Sequence, residues 1–129
     1  MIKVFISLPM HSRSREAVLE EADKWFSLYK KCNFVKDEDA ILVSPVDESF
    51  EPLRPEPKNT RLGYLARSLS ILADADVCVL APGFYTANGC LVELFACLCY
   101  GVKIIRIDPT IMDSLIMDKI ASVVYDGLR

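Results

Sequence analysis

The chain has 129 residues, enough for one domain with a real core and too few for two comfortable ones. Hydrophobic residues make up 52 % and charged residues 26 %, which excludes a disordered chain. A formal net charge of -3 leaves no basic stripe, so binding to nucleic acid through its phosphates is not expected.

Residues 2–8 (IKVFISL) are apolar and rich in β-branched side chains, the pattern of a central strand buried on both faces. With one lysine and so short an apolar run, this segment is not expected to serve as a signal peptide or a membrane span. Pro9 to Ser14 form a polar turn in which Ser12 or Ser14 can cap a helix. From Glu16 to about Tyr29 the apolar positions Val18, Ala22, Trp25, Phe26 and Tyr29 make one helical face. Residues 41–45 (ILVSP) read as a short second strand ended by Pro45. Pro45 to Asn59 carry Pro45, Pro52, Pro55 and Pro57 among acidic residues and read either as a flap over a site or as an exposed tether.

Thr60 reads as the cap of a second helix, whose face is Leu62, Leu65, Ala66, Leu69 and Leu72. Asp76 to Ala81 form a third strand, and the loop Pro82 to Gly89 leads into a helix that Gly101 is placed to stop. Val102 to Ile107 form a fourth strand. Asp108 and Pro109 then open a helix with Ile111 or Met112, Leu115, Ile116 and Ile120 on its face. Val123 to Arg129 suit a short fifth strand or a frayed helix. Strands and helices alternate throughout, without internal repeat or low-complexity segment. The expectation is one α/β domain over 1–129, a parallel sheet of four to five strands with helices on both faces.

The five cysteines, Cys32, Cys78, Cys90, Cys97 and Cys99, are odd in number and fall mostly in apolar segments. They read as reduced, buried thiols of a cytoplasmic protein rather than as a disulfide framework. No pair has zinc-site spacing and His11 is the single histidine, so neither a metal nor a cofactor is expected.

Glu93 is the only charged residue between Asn88 and Lys103. A carboxylate in so apolar a run loses hydration unless an ion pair, a shifted pKa or chemistry holds it there. Arg61, Arg67 and Arg106 are the candidate partners of a structural ion pair. In a parallel sheet ligands bind beyond the carboxyl ends of the strands. Three loops meet that rule: Ser7 to Arg13, Ser44 to Asp47 and beyond, and Pro82 to Gly89. The first offers hydroxyls, a histidine and a guanidinium at a helix start, where an anion is favoured. The alternative is a solvated helix start with Arg13 and Arg15 in water. Phe84 and Tyr85 stand where rings can stack on a base. Trp25, Phe26, Phe95 and Tyr100 read as core. Asp74 and Asp76 fall at the wrong end of the third strand for the crevice and read as turn and cap residues, and Asp108 as a cap. Cys90 lies near a helix start, but no histidine is close in sequence to activate it.

Val4 to Met10, Tyr64 to Val77, Ala81 to Phe84, Asn88 to Glu93 and the pair Tyr100-Gly101 together resemble small proteins related to nucleoside 2-deoxyribosyltransferases, including the DUF4406 group. The similarity spans most of residues 2–107. It implies a flavodoxin-like (Rossmann-like) fold, self-association as a dimer or higher homo-oligomer, and a nucleoside or nucleotide as the small-molecule partner. It also implies cleavage or transfer at the N-glycosidic bond of a 2′-deoxynucleoside or its 5′-monophosphate. Glu93 matches the glutamate that forms the covalent deoxyribosyl intermediate. Ser7, Leu8, Pro9, Met10, His11 and Arg13 match the segment that meets sugar and phosphate. Gly83, Phe84, Tyr85, Asn88 and Gly89 belong to the loop beside the glutamate. The chain departs from the family at Ser68, where the enzymes carry an aspartate for the leaving base. It departs again at Phe84 to Asn88, where transferases carry acidic residues, and at Met10-His11, where relatives carry glycine. A missing acid weakens leaving-group protonation, so a non-catalytic nucleotide-binding or sensor module is the alternative.

Overall fold

A computed structural model describes residues 1–44, 52–107 and 113–128. Four strands, β1 (Ile2–Ser7), β2 (Ala40–Val43), β3 (Val77–Leu80) and β4 (Lys103–Arg106), form one parallel sheet in the order β2-β1-β3-β4. Four helices connect and follow them: α1 (Arg15–Cys32), α2 (Thr60–Leu72), α3 (Asn88–Tyr100) and α4 (Asp113–Leu128). The fold is the parallel α/β, flavodoxin-like arrangement.

Right-handed crossovers dictate the layers. The chain moves one way from β1 to β2, then back across β1 to β3 and onward to β4. So α1 covers one face and α2 and α3 the other, joined there by α4. The two cores agree with this. Val4, Ile6, Val77 and Val79 pack with Val18, Ala22 and Tyr29 of α1. Phe5, Cys78 and Leu80 pack with Leu72 of α2, with Leu91, Leu94 and Cys97 of α3 and with Ile116 of α4. Alternate residues of β1 therefore feed opposite cores, as strand geometry requires. At the other end of the sheet, Asp76 receives the Lys3 N–H on its carboxylate at 2.8 Å and returns its own N–H to the Lys3 carbonyl. It fastens β3 to β1 away from the crevice.

Local signals set most boundaries. Ser14, rather than Ser12, caps α1 by accepting the Ala17 N–H. Gly101 ends α3 in the left-handed region at φ 75°, and its N–H returns to the Cys97 carbonyl. Four expectations are corrected or narrowed. Asn59 caps α2 and Thr60 is its first helical residue, because the Asn59 amide oxygen accepts the Leu62 N–H at 2.9 Å. Phe95 and Tyr100 are not core: they are 57 % and 86 % exposed, Phe95 on the side of α3 away from the sheet and Tyr100 as the last residue of the helix, and Cys32 and Cys99 are exposed as well. The strands end before their apolar runs do, at Ser7, Val43, Leu80 and Arg106, and β2 begins one residue before its run, at Ala40. Residues 123–128 are helix and not a fifth strand, since they continue the Ile116 and Ile120 spacing. The Asp108-Pro109 helix opening and Asp47 lie outside the described residues, as do 45–51 of the proposed flap. Among the described residues no helix is long and apolar enough to cross a membrane, and no group of three His, Cys, Asp or Glu side chains could hold a metal ion.

Residues 52–59 lie against the start of α2. The Leu53 N–H reaches the Gly63 carbonyl at 3.2 Å, and a Cβ on Gly63 would sit 2.6 Å from Pro57 Cγ and 3.2 Å from Pro52 Cβ. Gly63 is thus a notch for two prolines. Helix propensity alone favours Gly63→Ala by up to about 1 kcal/mol. We expect that variant to keep its helical circular dichroism yet be cut faster by trypsin after Lys58. Unchanged cleavage would show that the notch does not hold the segment.

Candidate functional site

The strand order reverses between β1 and β3, which is where open α/β sheets bind ligands. Ser7 ends β1 on the same face as Phe5, the face covered by α3. Glu93 lies on the second turn of α3, on the edge of its sheet-facing side. The two meet there: Ser7 Oγ donates to Glu93 Oε1 at 2.7 Å, with both side chains buried and Glu93 only 4 % exposed. Among the described residues no cation lies within ion-pairing distance of Glu93, so the structural ion pair with Arg61, Arg67 or Arg106 is not formed. Burial pushes the Glu93 carboxyl up to about 7, against the opposing pull of the Ser7 hydroxyl.

Three thiols surround this carboxyl. Burial, and then the charge of Glu93, push the Cys90 thiol up to about 12, although the Ser7 hydroxyl pulls the other way. Contact with Cys97, together with burial, holds the Cys78 thiol protonated. The same contact with Cys78 pulls the Cys97 thiol down. Cys78 and Cys90 stay neutral at neutral pH and are poor nucleophiles.

The loop after β1 is built differently from the sequence expectation. Leu8 is buried in the core on the α1 side and does not face the crevice. Arg13 is not in free water: it donates to the Pro9 carbonyl at 3.0 Å and pairs with Glu21 of α1 at 2.9 Å. Glu21 in turn accepts from Trp25 Nε1. Arg13 therefore lashes the loop to α1. Pro9 and Met10 are half-buried and His11 is exposed. Arg15 is half-buried, with its Nε enclosed and unpaired.

The loop after β3 turns at Gly83, whose φ of 83° suits glycine, and closes when Thr86 donates to the Gly83 carbonyl from both its hydroxyl and its N–H. The Cβ position of Gly83 faces Pro9 at 4.0 Å, so the loops after β1 and β3 come together there. Phe84 is 1 % exposed and belongs to the core beneath α3, so it cannot stack on a base as expected from its place in the sequence. Tyr85 is half-buried and meets Phe84 edge to face, with centroids 5.8 Å apart. Asn88 is exposed, and Gly89 approaches Leu65 of α2, its Cβ position 3.8 Å from Leu65 Cδ1. Ser68 is buried on α2, where the resemblance expects an acid.

The sequence reading assigned Ser7 to the sugar and missed its bond to Glu93. The parity of β1 carried the signal: Phe5 and Ser7 share a face, and the helix after β3 must cover it. Compared with family models, with curated proteins and with solved structures, the chain finds no match.

Proposed function

We propose that this protein cleaves the N-glycosidic bond of a 2′-deoxynucleoside or its 5′-monophosphate, with Glu93 as nucleophile. One observation supports this reading above the others: a buried carboxylate at the switch point, held by a hydroxyl and, among the described residues, by no cation. An ion pair would mute its nucleophilicity. A single hydrogen bond orients one oxygen and leaves the carboxylate reactive.

The ionised carboxylate attacks C1′ as the C1′–N bond breaks, and the base leaves with the bonding pair. Water then opens the deoxyribosyl ester, giving hydrolysis, or the nitrogen of a second base does so, giving transfer. The missing 2′-hydroxyl eases formation of the sugar cation, so one carboxylate carries much of the work. With Ser68 in place of an acid, the proton for the leaving base comes from water or from His11. Because Glu93 is 4 % exposed, its surroundings have to open to admit the sugar, and Tyr85, half-buried on the loop after β3, is then the ring beside the base.

A second reading is a nucleotide-binding module without turnover. The same enclosure of Glu93, and a carboxyl about half protonated at neutral pH, favour it. Incubating wild type and Glu93→Ala with 2′-deoxynucleosides and their 5′-monophosphates, with and without a free base, separates the two. Base released or exchanged by wild type alone is the expected result. No turnover, with thermal stabilisation by one nucleotide, would replace the enzyme by the binding module.

A further inference from the structure

Ser7 and Glu93 also meet the geometry of a second chemistry, in which the hydroxyl attacks and the carboxylate serves it. Ser7 Oγ donates to Glu93 Oε1 at 2.7 Å. That is the reach required between a nucleophile and its general base. A serine hydroxyl is a weak nucleophile until an adjacent base takes its proton. A carboxylate of ordinary pKa is a poor base for this task. Burial lifts Glu93 to about 7, where a base is both strong and still available at neutral pH. Around the pair stand Cys78 of β3 and Cys90 and Cys97 of α3, and Cys78 and Cys90 stay neutral. The cap residue of α3 is Ala87, which has no side-chain acceptor for the N–H groups that open the helix. Those groups lie about one turn before Glu93 and favour a negative oxygen.

We propose that Ser7 is a nucleophile with Glu93 as its general base, and that the pair cleaves small, uncharged carboxylic esters by acyl transfer through Ser7. The substrate class follows from the surroundings. Ser7 is 1 % exposed on the sheet face that carries Phe5 and Leu80, so only a compact acyl group is admitted when that region opens. Arg13, the arginine of the loop after β1, is committed to Glu21 and offers an anionic substrate no partner. In the first step Ser7 Oγ bonds to the ester carbonyl carbon and its proton passes to Glu93. The bond from that carbon to the alcohol oxygen breaks, and the alcohol leaves with the proton. In the second step water gives a proton to Glu93 and its oxygen attacks the acyl-serine. Ser7 Oγ takes the proton back as the carboxylic acid departs. Glycosidic cleavage modifies Glu93 whereas this reaction modifies Ser7, so the two readings stand or fall separately.

A fluorophosphonate and para-nitrophenyl acetate are the probes. They are applied to a full-length parent carrying Cys32→Ser and Cys99→Ser, because those exposed thiols also take acetyl groups. The parent should gain a single phosphonyl adduct, which peptide mass spectrometry places on Ser7. It should release nitrophenolate at a rate that rises as pH passes through about 7. Adding Ser7→Ala or Glu93→Gln should lower both labelling and release by about 10²-fold or more, with far-UV circular dichroism unchanged. Glutamine keeps an oxygen for the Ser7 hydroxyl but cannot take its proton, so the loss in Glu93→Gln reports on proton transfer and not on packing. A parent without the Ser7 adduct, or labelled elsewhere, would overturn the nucleophile. Full labelling of Glu93→Gln would overturn the general base. Base release from 2′-deoxynucleotides, followed in the same preparation, tells the two reactions apart. Base release without a Ser7 adduct strikes this inference alone, and a Ser7 adduct without base release strikes the glycosidic reading alone.

Discussion

Glu93→Gln is expected to make the protein more stable than wild type at pH 8, by about 3 kcal/mol. The Glu93 carboxyl is raised from 4.5 to about 7 in the folded chain. Between those values the folded state holds a proton that the unfolded state has released. The stability linked to that proton is fully present below 4.5 and is lost as pH rises through about 7. Glutamine stays neutral, keeps an oxygen for the Ser7 hydroxyl and escapes the loss. At pH 4 the two proteins should therefore melt alike. At pH 8 the variant should melt on the order of 10 °C higher. Urea unfolding at both pH values measures the difference directly. Equal midpoints at pH 8 would mean that Glu93 is ionised at little cost, and that a counter-charge or water compensates it.

The same substitution should abolish the proposed turnover, by at least about 10³-fold, because an amide cannot form the sugar ester. A gain in stability coupled to a loss of activity is the signature of a group kept for function against the preference of the fold. Ser7→Ala should act differently. The serine hydroxyl favours the ionised carboxylate, so its loss moves the Glu93 carboxyl further up. Base release should then fall at neutral pH and recover partly in alkali, with the acid limb of the rate profile displaced to higher pH. A profile that falls uniformly at every pH, without displacement, would make Ser7 a packing residue only. Should wild type release no base from any substrate, the stability difference would still stand. The binding module would then be the reading that accounts for Glu93.

What could be read from the chain depended on the range of the forces involved. The alternation of elements, the Ser14 cap and the Gly101 stop are local, and local sterics and hydrogen bonding decide them within a few residues. The misreadings were local as well, but each was a competition between close neighbours. Asn59 and Thr60 can both cap a helix, and the side chain that reaches the Leu62 N–H wins. Phe95 falls on the outer arc of α3 and Tyr100 on its last residue, and an all-apolar helix gives no contrast by which to find its inner face.

Taken alone, the sequence determined that this is a parallel α/β protein and that one carboxylate stands in an apolar helix next to a strand end. Both follow from periodicity and from the rarity of charge in such a run. The tertiary structure decided what that carboxylate meets. Ser7 and Glu93 are 86 residues apart, and no short-range rule joins them. They meet because β1 and β3 are neighbours at the switch point and because strand parity turns Ser7 toward α3. The same packing directed Leu8 and Phe84 inward, committed Arg13 to Glu21, and left Glu93 without a cation among the described residues. A side chain's identity is written in the chain. Its partner depends on which residues the sheet brings together.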